Sequence, residues 1–170
     1  FGPTYAWNDI SGSGSVAVSS GDDVTQGPFP IGFDFPFYGT PFSEFNFCTN
    51  GWLSFTSTST QYSNQPLPNS GSSVPENLLA VFWDSLYSRN GSGSEPLPSG
   101  AYYYSDGTRF IFQYDTFYRS GDYDADLDFQ IILYPSGKIV YQYLTLSTAT
   151  LNSQTIGQQN GTKDDGLNVV

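Results

Sequence analysis

Four aspartates stand at alternate positions of the segment SGDYDADLDF, a spacing that suits the binding of a cation. In an extended strand, alternate side chains point to one face, where ionised carboxylates repel one another unless a cation lies among them. Oxygen-only ligand sets are those that calcium prefers. Positions 6 and 12 are Leu127 and Leu133, which is not the pattern of an EF-hand. The alternatives are a solvated loop leading into the next strand and a calcium site formed by Asp122, Asp124, Asp126 and Asp128.

Three further aspartates are candidate calcium ligands. Asp22 and Asp23 stand side by side in SSGDDVTQG, and Asp84 follows an aromatic pair at a predicted strand end. The competing interpretation is a turn-forming aspartate that accepts hydrogen bonds from its own backbone. Both interpretations stay open, and calcium is the one cofactor that the sequence suggests.

The absence of some residue types excludes several common classes of catalytic site. It has no histidine and a single cysteine, so neither a Ser-His-Asp triad nor a thiolate or imidazole zinc site can be built. A pair of carboxylates suffices for a glycosidase, but sixteen acidic residues make accidental pairs easy. We therefore expect a protein without enzymatic activity. Cys48, on an apparent strand, is expected to be a buried and inert thiol.

Aromatic and amide side chains suggest two modes of contact with sugars. Tyr118 and Tyr123 flank Arg119 in a predicted loop, where exposed rings would stack on a glycan. Asn90 and Asn160 each begin an Asn-Gly-Ser/Thr sequence that matches the acceptor pattern for N-glycosylation.

The charge balance narrows the range of partners. Five lysines and arginines stand against sixteen acids, giving a net charge of −11. Such a surface repels the phosphates of nucleic acids and anionic membranes. No apolar run approaches the roughly 20 residues that span a bilayer, so we expect no membrane insertion.

Short runs of aromatic and β-branched residues, separated by Gly, Pro, Asn, Asp and Ser, predict β-strands joined by turns, and the candidate site residues lie on or between these strands. In Thr108–Asp115, Phe110, Phe112 and Tyr114 share one face. Asn50-Gly51, Asp106-Gly107 and Pro135–Lys138 are predicted turns, with Asp106-Gly107 closing a two-residue hairpin. We expect one domain over residues 1–170: an all-β, jelly-roll-like antiparallel sandwich of about 10–12 short strands with little or no helix. The phenylalanine-rich stretch Phe33–Phe55 is expected to lie in its core.

The order of these segments resembles a known family. IGFDFPFYGTPFSEFNFCTNGWLSF, NLLAVFWDSL, GAYYYSDGTRFIFQYD, FQIILYPSGKIVYQY and IGQQNGTKDDGLNVV follow one another as in the nidogen-like domain and the related domain of plexin-domain-containing receptors. Similar modules recur in secreted bacterial surface proteins and proteases. The chain departs from the family pattern at Val81, where a proline is usual, and at Ser85, where a second acid is usual.

The resemblance implies an extracellular, non-catalytic module for adhesion or for matrix or surface assembly. One alternative is a structural subunit of an extracellular filament, tube or surface layer, assembled by strand addition at sheet edges. The termini FGPTYAW and GLNVV are candidate donated strands. A third hypothesis is a carbohydrate-binding accessory to a secreted enzyme. The expected partner is accordingly a protein or a second copy, or else a glycan.

Overall fold

The computed structural model describes residues 4–89, 99–146 and 152–170, without the side chains of residues 123–125. Within these residues there is no helix, and thirteen strands are present, one more than the upper end of the predicted range. Their bounds are β1 Ser15–Val18, β2 Gly21–Asp22, β3 Thr25–Phe37, β4 Thr40–Cys48, β5 Trp52–Ser54, β6 Leu78–Trp83, β7 Leu86–Ser88, β8 Gly100–Ser105, β9 Phe110–Arg119, β10 Asp122–Leu133, β11 Ile139–Leu146, β12 Thr155–Gln159 and β13 Gly166–Asn168.

The strands form two antiparallel sheets packed face to face, so the predicted all-β sandwich is confirmed. Sheet A has the order β1-β8-β9-β10-β11, with β7 also paired to β9 and β2 paired to β7. Sheet B has the order β13-β12-β6-β5-β4-β3. Most neighbours within a sheet also follow one another in sequence, because tight turns join antiparallel strands.

The predicted turns join the expected strands. Gly51 and Gly137 have φ angles of 79° and 84°, which glycine adopts without steric cost. The β8–β9 hairpin differs in detail from its prediction. Ser105 pairs with Phe110, so the loop has four residues, and only Gly107 has a positive φ. Asp106 does not take the left-handed conformation that a two-residue turn requires; its Oδ1 instead accepts from the backbone N–H groups of residues 108 and 109.

Aromatic rings fill the space between the sheets. Phe45 and Phe47 of sheet B are fully buried and contact Phe112 of sheet A at ring-centroid distances of 5.6 and 5.0 Å. Burial of each such ring stabilises the fold by about 1.5–3 kcal/mol. The Tyr114 hydroxyl lies 3.0 Å from the Trp52 carbonyl oxygen, which satisfies a polar group inside the core. The prediction that the Phe33–Phe55 stretch contributes to the core is therefore confirmed.

An extended N-terminal segment, residues 4–10, crosses the outer face of sheet A and is held there by three buried glutamines. Gln142 Oε1 accepts from the Ala6 N–H at 2.8 Å, and its Nε2 donates to the Ala6 carbonyl. Gln130 donates to the Asn8 carbonyl at 2.7 Å, and Gln113 Oε1 accepts from the N–H of residue 10. We call residues 4–10 the strap, and the three side chains the glutamine row.

Candidate functional site

The acidic segment at the start of β10 is not a regular strand. Asp122 faces Arg119 and Leu127 faces Phe117, so five steps along β10 match two along β9. The segment therefore bulges out of the ladder, and the regular strand on which the shared-face prediction depended begins only at Phe129. The side chain of Asp124 lies outside the described residues.

Asp126 and Asp128 lie near an acid that sequence reasoning missed, Asp115 of β9. Burial, followed by the charges of Asp128 and Asp9, raises the pKa of Asp115 to about 6. Asp128 Oδ1 accepts from the Thr116 N–H at 2.7 Å. Burial and Asp128 also raise the pKa of Asp126. For both Asp115 and Asp126, burial is the largest cause of the raised pKa, and the charges of neighbouring carboxylates add to it.

No cluster of three or more His, Cys, Asp or Glu side chains suited to a metal ion occurs among the residues whose side chains are described. Calcium binding at the acidic segment stays a prediction, because Asp124 belongs to the segment and is not described. Asp115 follows the alternating run of β9, and a bulge at Asp115 and Thr116 in β9 itself places both residues opposite Asp128. No sequence signal indicated this.

Asp84 and Arg119, which were assigned to different candidate sites, form one ion pair. Arg119 Nε lies 2.8 Å from Asp84 Oδ2, and the Ser153 hydroxyl donates to the same oxygen at 2.8 Å. Both side chains are largely buried, so the guanidinium supplies the positive charge that was expected from a metal ion at Asp84.

The prediction that Tyr118 is an exposed aromatic ring is wrong. Tyr118 lies on β9 rather than in a loop, is 3% exposed, and stacks on Tyr87 with ring centroids 5.7 Å apart. The pairing of β7 with β9 places Tyr87 directly beside Tyr118 in the same sheet. The side chain of Tyr123 lies outside the described residues, so the glycan hypothesis keeps only that ring and Arg119, which is engaged with Asp84.

The paired aspartates before β3 lie near a buried asparagine. Asp23 Oδ1 accepts from Asn50 Nδ2 at 2.8 Å, and Asn50 Oδ1 accepts from the Leu86 N–H at 3.0 Å. Asp23 has a φ angle of 52°, as aspartate tolerates in turns. Asp22 is exposed as a whole residue, but its carboxylate is partly desolvated. This partial burial, followed by the charge of Asp23, raises the pKa of Asp22. These contacts fit the turn interpretation of Asp23. The Asn-Gly pair predicted a turn at Asn50, but it did not predict that the Asn50 side chain would connect Asp23 to Leu86.

Of the two glycosylation candidates, Asn160 lies within the described residues. Asn160 lies in a turn, where its Nδ2 donates to Thr162 Oγ1 at 2.9 Å and to Asp164 Oδ1 at 2.8 Å. Asn90 lies outside the described residues. Cys48 is fully buried, and burial raises the pKa of its thiol to about 11, so the prediction of an inert core thiol is confirmed.

In the part of the chain that the structure describes, three of the four lateral edges of the sheets carry features that oppose pairing with another chain. β13 has only three residues, and β1 has four with an irregular register. β3 contains Pro28, Pro30 and Pro36 and two register shifts. Short strands, prolines and bulges are the means by which native sheets protect their edges.

The fourth edge, β11, lacks most of this protection. Its eight residues, IVYQYLTL, include no charge and no proline, and within the described residues it pairs only with β10. One irregularity, an extra residue at Leu144, leaves Ile139–Tyr143 in regular register. Alternate backbone N–H and C=O groups of such a strand point away from its neighbour. Leu144 and Leu146, which are 54% and 38% exposed, add apolar surface.

Comparison with known proteins gives one match and one negative result. A family model described as NIDO related matches residues 2–169, which is nearly the whole chain. No solved structure shows a significant match. The described residues contain no helix long and apolar enough to cross a membrane.

Proposed function

Because this chain belongs to the NIDO-related family, whose domains are generally extracellular, we propose that it is a non-catalytic module that binds a protein partner in adhesion or in matrix or surface assembly. The observation that carries the proposal is the unprotected edge of β11, beside three edges that are protected. An extended segment of a partner adds there as a further strand, with backbone hydrogen bonds giving affinity and side chains giving specificity.

Assembly into a filament finds less support than binding of a different protein. The described residues of both candidate donated strands are engaged within their own chain: the glutamine row holds the strap, and Gly166–Asn168 pairs with β12 as β13. Pairing of β11 with β11 of a second copy is isologous and gives a closed dimer rather than an open filament.

The proposal is tested with Leu144→Lys, which puts a charge on the β11 edge, and with Leu167→Lys as its matched control. The two leucines are 54% and 55% exposed, so the substitutions cost little stability and change the net charge equally. Peptides are selected on the unmodified chain from a displayed random library, and their affinities are then measured on both variants.

We expect selected peptides rich in β-branched residues that lose at least tenfold in affinity for Leu144→Lys and bind Leu167→Lys unchanged. Peptides that bind both variants equally, or a library that yields none, would refute β11 as the binding edge. Sedimentation of the chain alone, at about 100 μM, detects the closed dimer as the competing outcome.

A further inference from the structure

A pocket of about 250 Å³ opens beside the start of β11 on the outer face of sheet A. The buried side chains of Ile132 and Val140 supply its apolar wall, and the strap closes one side through Thr4 and Ala6. The more exposed part of the lining is cationic, because Arg109 and Lys138 both contribute to it.

These two cations stand out in a chain with only five. Arg119 is paired with Asp84, Lys163 donates to two backbone carbonyls, and Arg89 lies over an aromatic ring. The remaining two line one pocket, although sixteen acidic residues are present to neutralise them.

Neither cation is saturated by the described residues. Arg109 Nε lies 3.5 Å from Asp106 Oδ2 at an exposed position, which leaves both terminal nitrogens of the guanidinium without an acceptor there. The other oxygen of Asp106 is used by Thr108, at 2.8 Å from its N–H and 2.6 Å from its hydroxyl. Lys138 Nζ lies 5.1 Å from the centroid of the Tyr134 ring and contacts no carboxylate within the described part of the chain.

The pocket is continuous with the exposed edge. Lys138 immediately precedes β11, Val140 and Gln142 lie within it, and these alternate residues all line the pocket. In a strand added to β11, every second side chain lies on this same face, and directly opposite Cβ atoms are about 4.5–5.5 Å apart. The side chain of Gln142 is already bonded to Ala6 through both its oxygen and its nitrogen. Arg109 and Lys138 are therefore the polar groups of this lining that we expect to determine which ligand binds.

We propose that this pocket binds the carboxylate of an acidic residue in the partner strand, so that the partner is an extended peptide segment in which an Asp or Glu alternates with apolar residues. The inference rests on the proposed addition of a strand to β11. The guanidinium and the ammonium form charge-assisted hydrogen bonds with the carboxylate, which are the stronger class of hydrogen bond. The apolar wall at Val140 contacts the methylene groups of the same residue.

The first experiment measures binding of a carboxylate to the pocket in the absence of any added strand. The probe is glutamate blocked by an N-acetyl group and an α-amide, and blocked glutamine is its neutral isostere. Titrations into the ¹⁵N-labelled chain are followed through the backbone amides of Ile132, Val140 and Gln142. We expect a dissociation constant of about 1–10 mM for blocked glutamate, the range of one or two charge-assisted hydrogen bonds, and no saturable shift with blocked glutamine.

Variants assign the effect to the two cations. Arg109→Gln and Lys138→Gln are each expected to weaken blocked glutamate about tenfold, whereas Lys163→Gln, with the same charge change outside the pocket, leaves it unchanged. Leu144→Lys distinguishes the two proposals, because it blocks the peptides selected on β11 without touching the pocket.

Blocked glutamine that binds as well as blocked glutamate, or affinity unaffected by both pocket variants, would overturn the inference even where peptides still add to β11. Glucuronate that binds this pocket more tightly than blocked glutamate would overturn the assignment to a peptide in favour of an acidic sugar. Binding of blocked glutamate with no peptide bound at the edge would support the carboxylate pocket and refute the proposed strand addition.

Discussion

Asp115→Asn is expected to stabilise the protein at neutral and alkaline pH. Asp115 is partly buried among Asp9, Asp126 and Asp128, and its pKa rises from 3.8 to about 6. A group with a raised pKa in the folded state contributes stability at low pH, and that contribution is lost as the pH rises through about 6. The unmodified chain therefore carries a penalty above pH 6 that the uncharged asparagine removes.

The size of the effect follows from the pKa. A rise from 3.8 to about 6 corresponds to about 3 kcal/mol, at roughly 1.4 kcal/mol per pKa unit, for a fully shielded group. Asp115 is partly exposed, so solvent screening reduces this to about 1.5 kcal/mol. For a chain of this length we expect Asp115→Asn to raise the Tm by about 3–6 °C at pH 8. At pH 4.5 the gain falls to about a third of that, since the unmodified group is then mostly protonated in the folded state.

Thermal unfolding followed by circular dichroism between pH 4.5 and pH 8 measures this difference. Asp34→Asn is the matched control, because it removes the same charge from an exposed position on β3. The side chain of Asp115 shares a hydrogen bond with Asp128. An asparagine amide at position 115 keeps a donor for that bond, so we expect no loss of hydrogen bonding to mask the gain. Equal changes in Tm at pH 4.5 and pH 8, or an equal gain from Asp34→Asn, would refute the reasoning.

Three further predictions concern the strap, the ion pair and calcium. Gln130→Leu removes the bonds that its amide donates to the Asn8 carbonyl and to Gln113 Oε1. Because two acceptors lose a donor, it is expected to cost about 2–4 kcal/mol; proteolysis within the strap that is no faster than in the unmodified chain would contradict this. Arg119→Met leaves Asp84 buried without its partner and should cost about 2–3 kcal/mol by denaturant unfolding, most of it recovered in the double variant with Asp84→Asn. If the acidic segment binds calcium, saturating calcium raises the Tm by several degrees over chelator and Asp128→Asn abolishes the rise; identical melting in calcium and in chelator would dispose of the calcium hypothesis.

Much of the sandwich could be predicted because its strands alternate and its turns have distinctive residues. Phe110, Phe112 and Tyr114 line the inner face as their spacing indicates, and glycine marks the turn at Asn50-Gly51. β3 was harder to predict as one strand, since prolines within it read as interruptions. It follows the outermost edge of sheet B, where a missing N–H costs no ladder bond.

The error at Tyr118 and the failure to predict the role of Asp115 have one local cause. Thr116 has a φ angle of 55°, and Asp115 and Thr116 together oppose the single residue Asp128. This bulge reverses the alternation of β9, so Phe117 enters the core and Tyr118 packs against Tyr87. A positive φ at a β-branched residue is set by tertiary packing and leaves no mark in the sequence. The glutamine row did leave one, since three successive apolar strands each carry a single glutamine.

The glutamine row holds the strap through its main chain at every point but one, where Gln113 Nε2 donates to Asp9 Oδ1 at 3.0 Å. The strap and the glutamines therefore differ in their tolerance to mutation. The amide of Gln142 both accepts from the N–H of Ala6 and donates to its carbonyl, whatever side chain position 6 carries. Substitutions at exposed strap residues other than Asp9 are therefore expected to cost little stability. A change from Gln142 to glutamate, which alters one atom, removes the donor and places a charge beneath the strap. Variation among relatives is expected to accumulate in the strap and to spare the glutamines that hold it.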